Sequence, residues 1–207
     1  MNEIFDFLKT IFNEHSYRLY MIGGTSRDYL LGLEIKDYDF VTDATPLEIT
    51  SFLNVDLTFA KYGATRYKYR DLKIDITTLR IEGDYKDSRH PSFIRFIKDI
   101  EKDYLRRDFT LNAIYIDEEY NVLDPSLMGV KDLKNKELRF IGDPLKRIKE
   151  DPLRILRGQR FAQIYGLKIS PELDKLFLDN FYLLETINKD KISEEEAKLK
   201  KGLTKND

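Results

Sequence analysis

The sequence predicts an α+β fold, a mixed sheet with flanking helices followed by an all-helical neck. Three observations predict it. Short apolar runs of strand character, "RLYMI", "YDFVT" and "KIDITT", are interspersed with helix-period segments up to Gly142. Beyond Gly142 the pattern is helical almost throughout. The chain is 207 residues long, 42% hydrophobic and 35% charged, enough to bury a core under a heavily charged surface.

The elements follow in order. "NEIFDFLKTIF" places Ile4, Phe5, Leu8, Ile11 and Phe12 at helical spacing. "RLYMI" is a short buried strand that ends at Gly23-Gly24, and "SRDYLLG" is a helix stopped by Gly32. "YDFVT" is a second strand. "TPLEITSFL" is a helix with Thr45 as N-cap and Pro46 at its first position. "ATRYKYRDLKIDITTLR" reads as two strands around a tight turn at Arg70-Asp71. "IEGDYKDSRHPS" is a polar loop, "FIRFI" a strand, and Lys98 to Tyr115 mostly helical. Then come the helices "PLKRIK", "PLRILRGQRFAQIYG", "PELDKLFLDNFYLLETI" and "SEEEAKLKKGL". The boundary is placed near Gly142-Asp143, dividing the chain into 1–142 and 143–207. The Lys/Glu-rich end from Lys189 to Asp207 has no aromatics and reads as a frayed surface helix.

Composition narrows the chemistry. With no cysteine there are no disulfides, thiolate zinc sites or cysteine nucleophiles, and two histidines leave little room for histidine catalysis. The net charge of −2 gives no global basic field, so any polyanion site must be local. The amphipathic, acidic start is neither a signal nor a transit peptide, and no apolar run approaches membrane-spanning length. The expected location is cytoplasmic.

The chemistry concentrates in "IGGTSRDYLLGLEIKDYDF". Alternation along a strand puts Asp37 and Asp39 on one face, with Tyr38 and Phe40 on the other. "KIDITT" places a third acid, Asp75, between Ile74 and Ile76. Like charges at core-like positions call for a cation, and hard carboxylate oxygens suit Mg²⁺. Three such acids could hold two ions, the arrangement for in-line phosphoryl transfer. The alternative is that they end strands and meet water or basic side chains. Gly23-Gly24 before a helix would let backbone N–H groups approach a phosphate, with Arg27 on the first turn; a plain structural turn explains the glycines equally well.

"GGTSRDYLLG…KDYDF" resembles the signature of the class II nucleotidyltransferases, the bacterial CCA-adding tRNA nucleotidyltransferases and poly(A) polymerases. "DITTLRIEGDYKDSRHPSFIRFIKDIEKDYLRRDFTLNAIYID" resembles the family's third-acid strand, flexible loop and RRDFTxNA motif, and "EDPLRILRGQRFA" its nucleotide-selecting helix. The resemblance implies a nucleotidyltransferase-fold head with part of a helical neck. It implies Asp37 and Asp39 as metal ligands, Asp75 as the carboxylate activating the RNA 3′-hydroxyl, and two Mg²⁺ ions as cofactor. Gly23, Gly24 and Arg27 would contact the triphosphate, and Arg107, Asp108 and Asn112 would hold the nucleotide and its ribose hydroxyl. A surface ion-pair cluster is the competing reading of Arg106-Arg107-Asp108.

The base-reading helix has a physical rationale. Adenine and cytosine both present an amino donor beside a bare ring nitrogen, whereas guanine and uracil present a carbonyl beside an N–H. A carboxylate plus a guanidinium accepts the first pair and rejects the second. Asp151 and Arg154 are three apart, with Gly158 on the same helical face leaving room for a base or a close helix. Asp151 can also be an N-cap before Pro152, and both roles are compatible. Arg157 and Arg160 would reach phosphates. Substrates implied are ATP, CTP and a tRNA 3′ end. The loop "IEGDYKDSRHP" favours CCA or A addition over CC addition. Set against the family, the chain is expected to lack body and tail, with RNA grip supplied by an oligomer or a separate partner.

Overall fold

The computed structural model describes residues 2–83 and 91–203. Helix α1 (Glu3–Glu14) is capped by Asn2, whose side chain accepts from the Phe5 N–H at 3.0 Å. It buries Phe5, Leu8 and Phe12. Strand β1 (Leu19–Met21) leads into α2 (Gly23–Leu30), which begins three residues earlier than the sequence suggests. Gly32, at φ +67, ends it as expected. β2 (Tyr38–Thr42) and α3 (Pro46–Thr50) follow, the latter with a reciprocal Thr45–Glu48 capping box. A strand not foreseen, β3 (Val55–Asp56), precedes the expected hairpin of β4 (Ala64–Tyr69) and β5 (Leu72–Thr78).

The expected polar loop begins one element too early. Arg80–Glu82 is a strand, β6, paired antiparallel with β7 (Ile94–Phe96) in a small second sheet. Residues 84–90 of that loop lie outside the described residues. The segment from Lys98 to Tyr115 is only partly helical. It holds α4 (Ile100–Asp103) and two 3₁₀ turns, Tyr104–Arg106 and Thr110–Asn112, then enters β8 (Tyr115–Ile116). β9 (Val122–Leu123) and α5 (Gly129–Asn135) complete the first part.

The main sheet runs β3-β4-β5-β2-β1-β8-β9. β2 and β5 are parallel and the other pairs antiparallel, so the sheet is mixed as predicted. One face is covered by α1 and α3, where Phe5, Leu8, Phe12 and Ile49 meet Phe40, Ile74 and Ile76. The opposite face carries Tyr20, Ile22, Val41, Leu79 and Tyr115.

After Gly142 the chain is helical: α6 (Pro144–Glu150), α7 (Leu153–Tyr165), α8 (Pro171–Asp179), a 3₁₀ turn (Phe181–Thr186) and α9 (Lys189–Leu203). Two expectations change here. The segment 171–187 breaks at Asn180 instead of forming one helix. α9 is docked and not frayed: Glu195 is buried against Arg160 of α7 at 2.9 Å, and Gly202 lies against Ile164. A third apolar cluster draws on both parts of the chain, with Phe109, Leu138 and Phe140 packed among Ile155, Phe161 and Phe177.

Candidate active site

Thr25 fixes the acidic strand against α2. Its hydroxyl accepts from the Asp39 N–H at 2.6 Å and donates to the Asp37 carbonyl at 3.2 Å. Asp39 faces Asp75 directly in the parallel β2–β5 register. The antiparallel register then places Arg66 beside Asp75, and Asp56 beside Arg66. One row across four strands therefore reads Asp56, Arg66, Asp75, Asp39. Directly paired residues share a sheet face, and Ile74 and Ile76 on the other face are fully buried. Asp37 lies just before β2 and is exposed, so the expected pair of acids within one buried strand becomes one acid in the strand and one at its entrance.

Burial, the facing Asp75 carboxylate and Asp37 push the Asp39 pKa up to about 6, against the pull of the Gly24 N–H and Arg107. Gly23 adopts φ +62, and a Cβ there would come 3.2 Å from Asp39 Oδ2. The glycines thus allow the backbone to close over Asp39. Arg66 holds Asp75 with Nε at 2.7 Å to Oδ1 and Nη2 at 3.3 Å to Oδ2. A cavity of about 200 Å³ opens at this row, lined by Asp39, Asp56, Phe59, Thr65, Arg66 and Asp75 among others.

A hard divalent cation fits the Asp37–Asp39 end of this row. The donors are carboxylate oxygens, and Asp39 is buried facing the Asp75 carboxylate, a desolvated like-charge contact that a cation would ease. Asp75 is committed to Arg66, and no group of three or more metal-ligating side chains is assembled among the described residues.

Arg107 joins this face through Asp103, a residue the sequence reading passed over. Fully buried Asp103 accepts from Arg107 Nη2 at 2.9 Å, Arg106 Nε at 2.9 Å, the Tyr115 hydroxyl at 2.7 Å and the Arg80 N–H at 3.0 Å. Burial works against its charge, but Arg106 and Arg107 outweigh it and its pKa falls below the ordinary value. Arg106-Arg107 is thus a partly buried, organised pair and not a loose surface cluster. Asp103 was findable: it stands three and four residues before two arginines across a helical turn.

The other expected nucleotide residues form a second network, among α2, the segment Asp108–Asn112 and α7. Arg27 is 5% exposed. Its Nη1 donates to Asn112 Oδ1 at 2.9 Å, its Nε to Asp28 at 3.0 Å, and its Nη2 to the Tyr165 hydroxyl, while its guanidinium stacks 4.1 Å from the Tyr165 ring centre. Arg27, expected to contact the triphosphate, ties α2 to α7. Asn112 Nδ2 donates to Asp108 Oδ1 at 3.4 Å, and Arg157 Nε donates to Asp108 Oδ2 at 2.8 Å. Burial raises the Asp108 pKa, but Arg157 and Arg154 outweigh it and hold the carboxyl at about 2.

The base-reading pair is arranged differently from expectation. α7 starts at Leu153, and Asp151 is an extended residue between α6 and α7, so the two do not share one continuous helical face. Asp151 Oδ1 accepts from the Leu153 N–H at 3.1 Å, the cap-like bond foreseen as its other role. Arg154 donates to the Arg147 carbonyl at 2.7 Å and to Glu150 at 3.0 Å. Arg147 in turn donates to the carbonyls of Arg106 and Arg107 at 2.5 and 2.7 Å, linking this junction to the RRD segment. Gly158 makes room for a close neighbour and not for a base: a Cβ there would come 2.8 Å from Phe177. Arg160 faces Glu195.

A mixed sheet with acids on its open face, followed by a run of helices, defines a nucleotidyltransferase-type head. The chain belongs to the family of the Poly A polymerase head domain, whose family model matches residues 19–139. It is 35% identical over 191 residues to the CCA-adding enzyme of Bacillus pumilus, covering 92% of this chain and 48% of that protein. It is 36% identical over 187 residues to the CCA-adding enzyme of Listeria monocytogenes, covering 90% and 47%. The fold is similar to the crystal structure of the Bacillus stearothermophilus CCA-adding enzyme in complex with CTP, at TM-score 0.84 and 29% identity, covering 96% of this chain and 49% of that one. It is also similar to a tRNA nucleotidyltransferase complexed with a primer tRNA and an incoming ATP analog, at TM-score 0.70 and 31% identity, covering 92% and 55%. The chain spans about half the length of the curated relatives it matches. CCA-adding nucleotidyltransferases are generally metal-dependent. Among the described residues no helix is long and apolar enough to cross a membrane.

Proposed function

We propose that the chain is the catalytic part of a template-independent RNA nucleotidyltransferase. It transfers CMP and AMP from CTP and ATP to a tRNA 3′ end and releases pyrophosphate. The observation that carries the reading is the Asp39–Asp75 register on the open sheet face, beside Arg107 and the Asp37 entrance. Likeness to CCA-adding enzymes, one solved with CTP, supports the choice of substrates.

The 3′-oxygen of the RNA attacks the α-phosphorus, its proton passes to Asp75, and the bond to the pyrophosphate oxygen breaks. Asp37 and Asp39 would hold divalent cations, two Mg²⁺ in this proposal, which supply Lewis-acid stabilisation of the attacking and leaving oxygens. Arg66 orients Asp75, and Arg107, held by Asp103, offsets negative charge that gathers over the site. Asp151 and Arg154 at the α6–α7 junction present the carboxylate and guanidinium that accept adenine and cytosine.

The test is incubation with Mg²⁺ and a tRNA ending before its CCA, offering each labelled NTP singly and CTP with ATP together. Two Cs then one A, with nothing from UTP or GTP, is the expected product. A long A tail would make the chain a poly(A) polymerase, and a single A only on a CC-ended substrate an A-adding enzyme. In the same assay Asp151→Ala is expected to narrow the preference for ATP and CTP over UTP and GTP. Unchanged discrimination would remove Asp151 from base reading.

A further inference from the structure

The register that aligns the acids also aligns a set of cations. Two residues further along the hairpin, on the same face as Arg66 and Asp75, Lys68 stands directly opposite Lys73. Both are exposed. Cβ atoms of directly opposed residues lie about 5 Å apart, and like charges in such a pair are destabilising. Among the described residues no hydrogen bond or ion pair is made by either ammonium group. On the other side of Lys73, one step beyond the paired Tyr38 and Ile74, lies Asp37 at the site entrance. The intervening residues Tyr67, Tyr69 and Leu72 point the other way and pack on the α1 side of the sheet. The hairpin is therefore anchored by its aromatic face and cationic on its open face.

The tip adds a third cation. Arg70 occupies the turn with φ +53, a left-handed conformation that glycine adopts without cost and arginine does not. It is exposed, and its guanidinium lies 5.2 Å from the Tyr69 ring centre. In a chain of net charge −2, the repelling lysine pair continues the line of the carboxylate row, while Arg70 stacks at the tip on the aromatic side of the hairpin. A repelling pair of this kind is relieved by an anion placed between its members.

We propose that the open face of the β4–β5 hairpin is a phosphate track, in which Lys68 and Lys73 grip the backbone of a single-stranded RNA whose 3′ end enters the cavity at Asp75. The proposal rests on the reading of the chain as an RNA nucleotidyltransferase and assigns where the strand runs. The contacts are to phosphates, so they carry affinity and not sequence preference.

The experiment uses the full chain and a fluorescein-labelled, unstructured 12-nucleotide RNA ending in CC. Anisotropy titrations across a salt series compare the unaltered chain, Lys68→Ala/Lys73→Ala, and a control pair on distant exposed helices, Lys134→Ala/Lys175→Ala. Loss of two phosphate contacts is expected to flatten the plot of log K against log salt by about 1.4 and to weaken binding about tenfold at low salt. ATP and CTP binding stays unchanged. An unaltered slope and affinity, a loss matched by the control pair, or no RNA binding by the unaltered chain overturns the track. The two readings separate cleanly. A slope loss in a chain that transfers no nucleotide keeps the track and sinks the transferase reading. Transfer with an unchanged primer KM in the lysine variant does the reverse.

Discussion

Asp39 and Asp108 are held in opposite electrostatic states by what faces them. Burial and the facing Asp75 raise Asp39 to about 6; at Asp108 burial is outweighed by Arg157 and Arg154, and the carboxyl falls from 3.8 to about 2. The second shift is a statement about stability. A carboxyl whose folded pKa lies below its unfolded value stabilises the fold fully above the unfolded pKa. The contribution drains away as pH falls through the folded value. For Asp108 that window runs from about pH 4 down to about pH 2, and the shift corresponds to about 2 kcal/mol. Urea unfolding at steps between pH 5 and pH 2 is expected to show that loss in the unaltered chain and a correspondingly flatter profile in Asp108→Asn. Parallel profiles would mean that the Arg157 pair contributes nothing net. The acids Asp37, Asp39 and Asp75 were legible because a carboxylate among strand apolars is conspicuous. Arg66 and Tyr165 were not, because each owes its role to a partner brought near by register or by docking, which residue type alone does not disclose.

Helix α7 shows what spacing can and cannot convey about an element. Its extent was readable from periodicity and Gly166, which closes it at φ +62. The meaning of Gly158 stayed open between a base and a neighbour. The structure packs Phe177, Leu138 and Phe109 onto it, at 2.8, 3.2 and 3.2 Å from where a Cβ would stand. Gly158→Ala therefore gains helix propensity of about 1 kcal/mol but overpacks an aromatic core, at a cost of about 1–3 kcal/mol. Net destabilisation is expected, with Phe177→Leu in the same chain relieving it. A stabilised Gly158→Ala single variant, read by thermal unfolding, would show that Phe177 can move aside. The two-residue strands β8 and β9 escaped notice because so short a run has no measurable period. α9 was misjudged for a related reason: a lysine- and glutamate-rich helix looks solvated until Arg160 supplies a partner for Glu195.

The composition shift near Gly142 marks a change of architecture, from sheet to helices, yet the interior crosses it. Phe109, Leu138 and Phe140 from one side share an apolar cluster with Ile155, Phe161 and Phe177 from the other. Polar links run the same way: Arg27 to Tyr165, Asp108 to Arg157, and Arg147 to the carbonyls of Arg106 and Arg107. Unfolding the helices alone would expose half of that cluster, take the Tyr165 hydroxyl from Arg27 and leave Asp108, less than a tenth exposed, without Arg157. Losing one partner of a buried charged pair costs about 3–5 kcal/mol, so a state with one half folded lies far above both end states. A sharp boundary in sequence therefore does not make two independent folding units. The expected behaviour is a single cooperative transition, with far-UV dichroism and tyrosine fluorescence coinciding across a urea titration. Arg157→Ala removes one link and is expected to lower the midpoint while leaving the two signals superimposed. Two resolved transitions in the unaltered chain would show instead that the sheet stands alone. The Asp103–Arg107 pair would then be set within the first 142 residues, and the helices after Gly142 would bear only on the nucleotide.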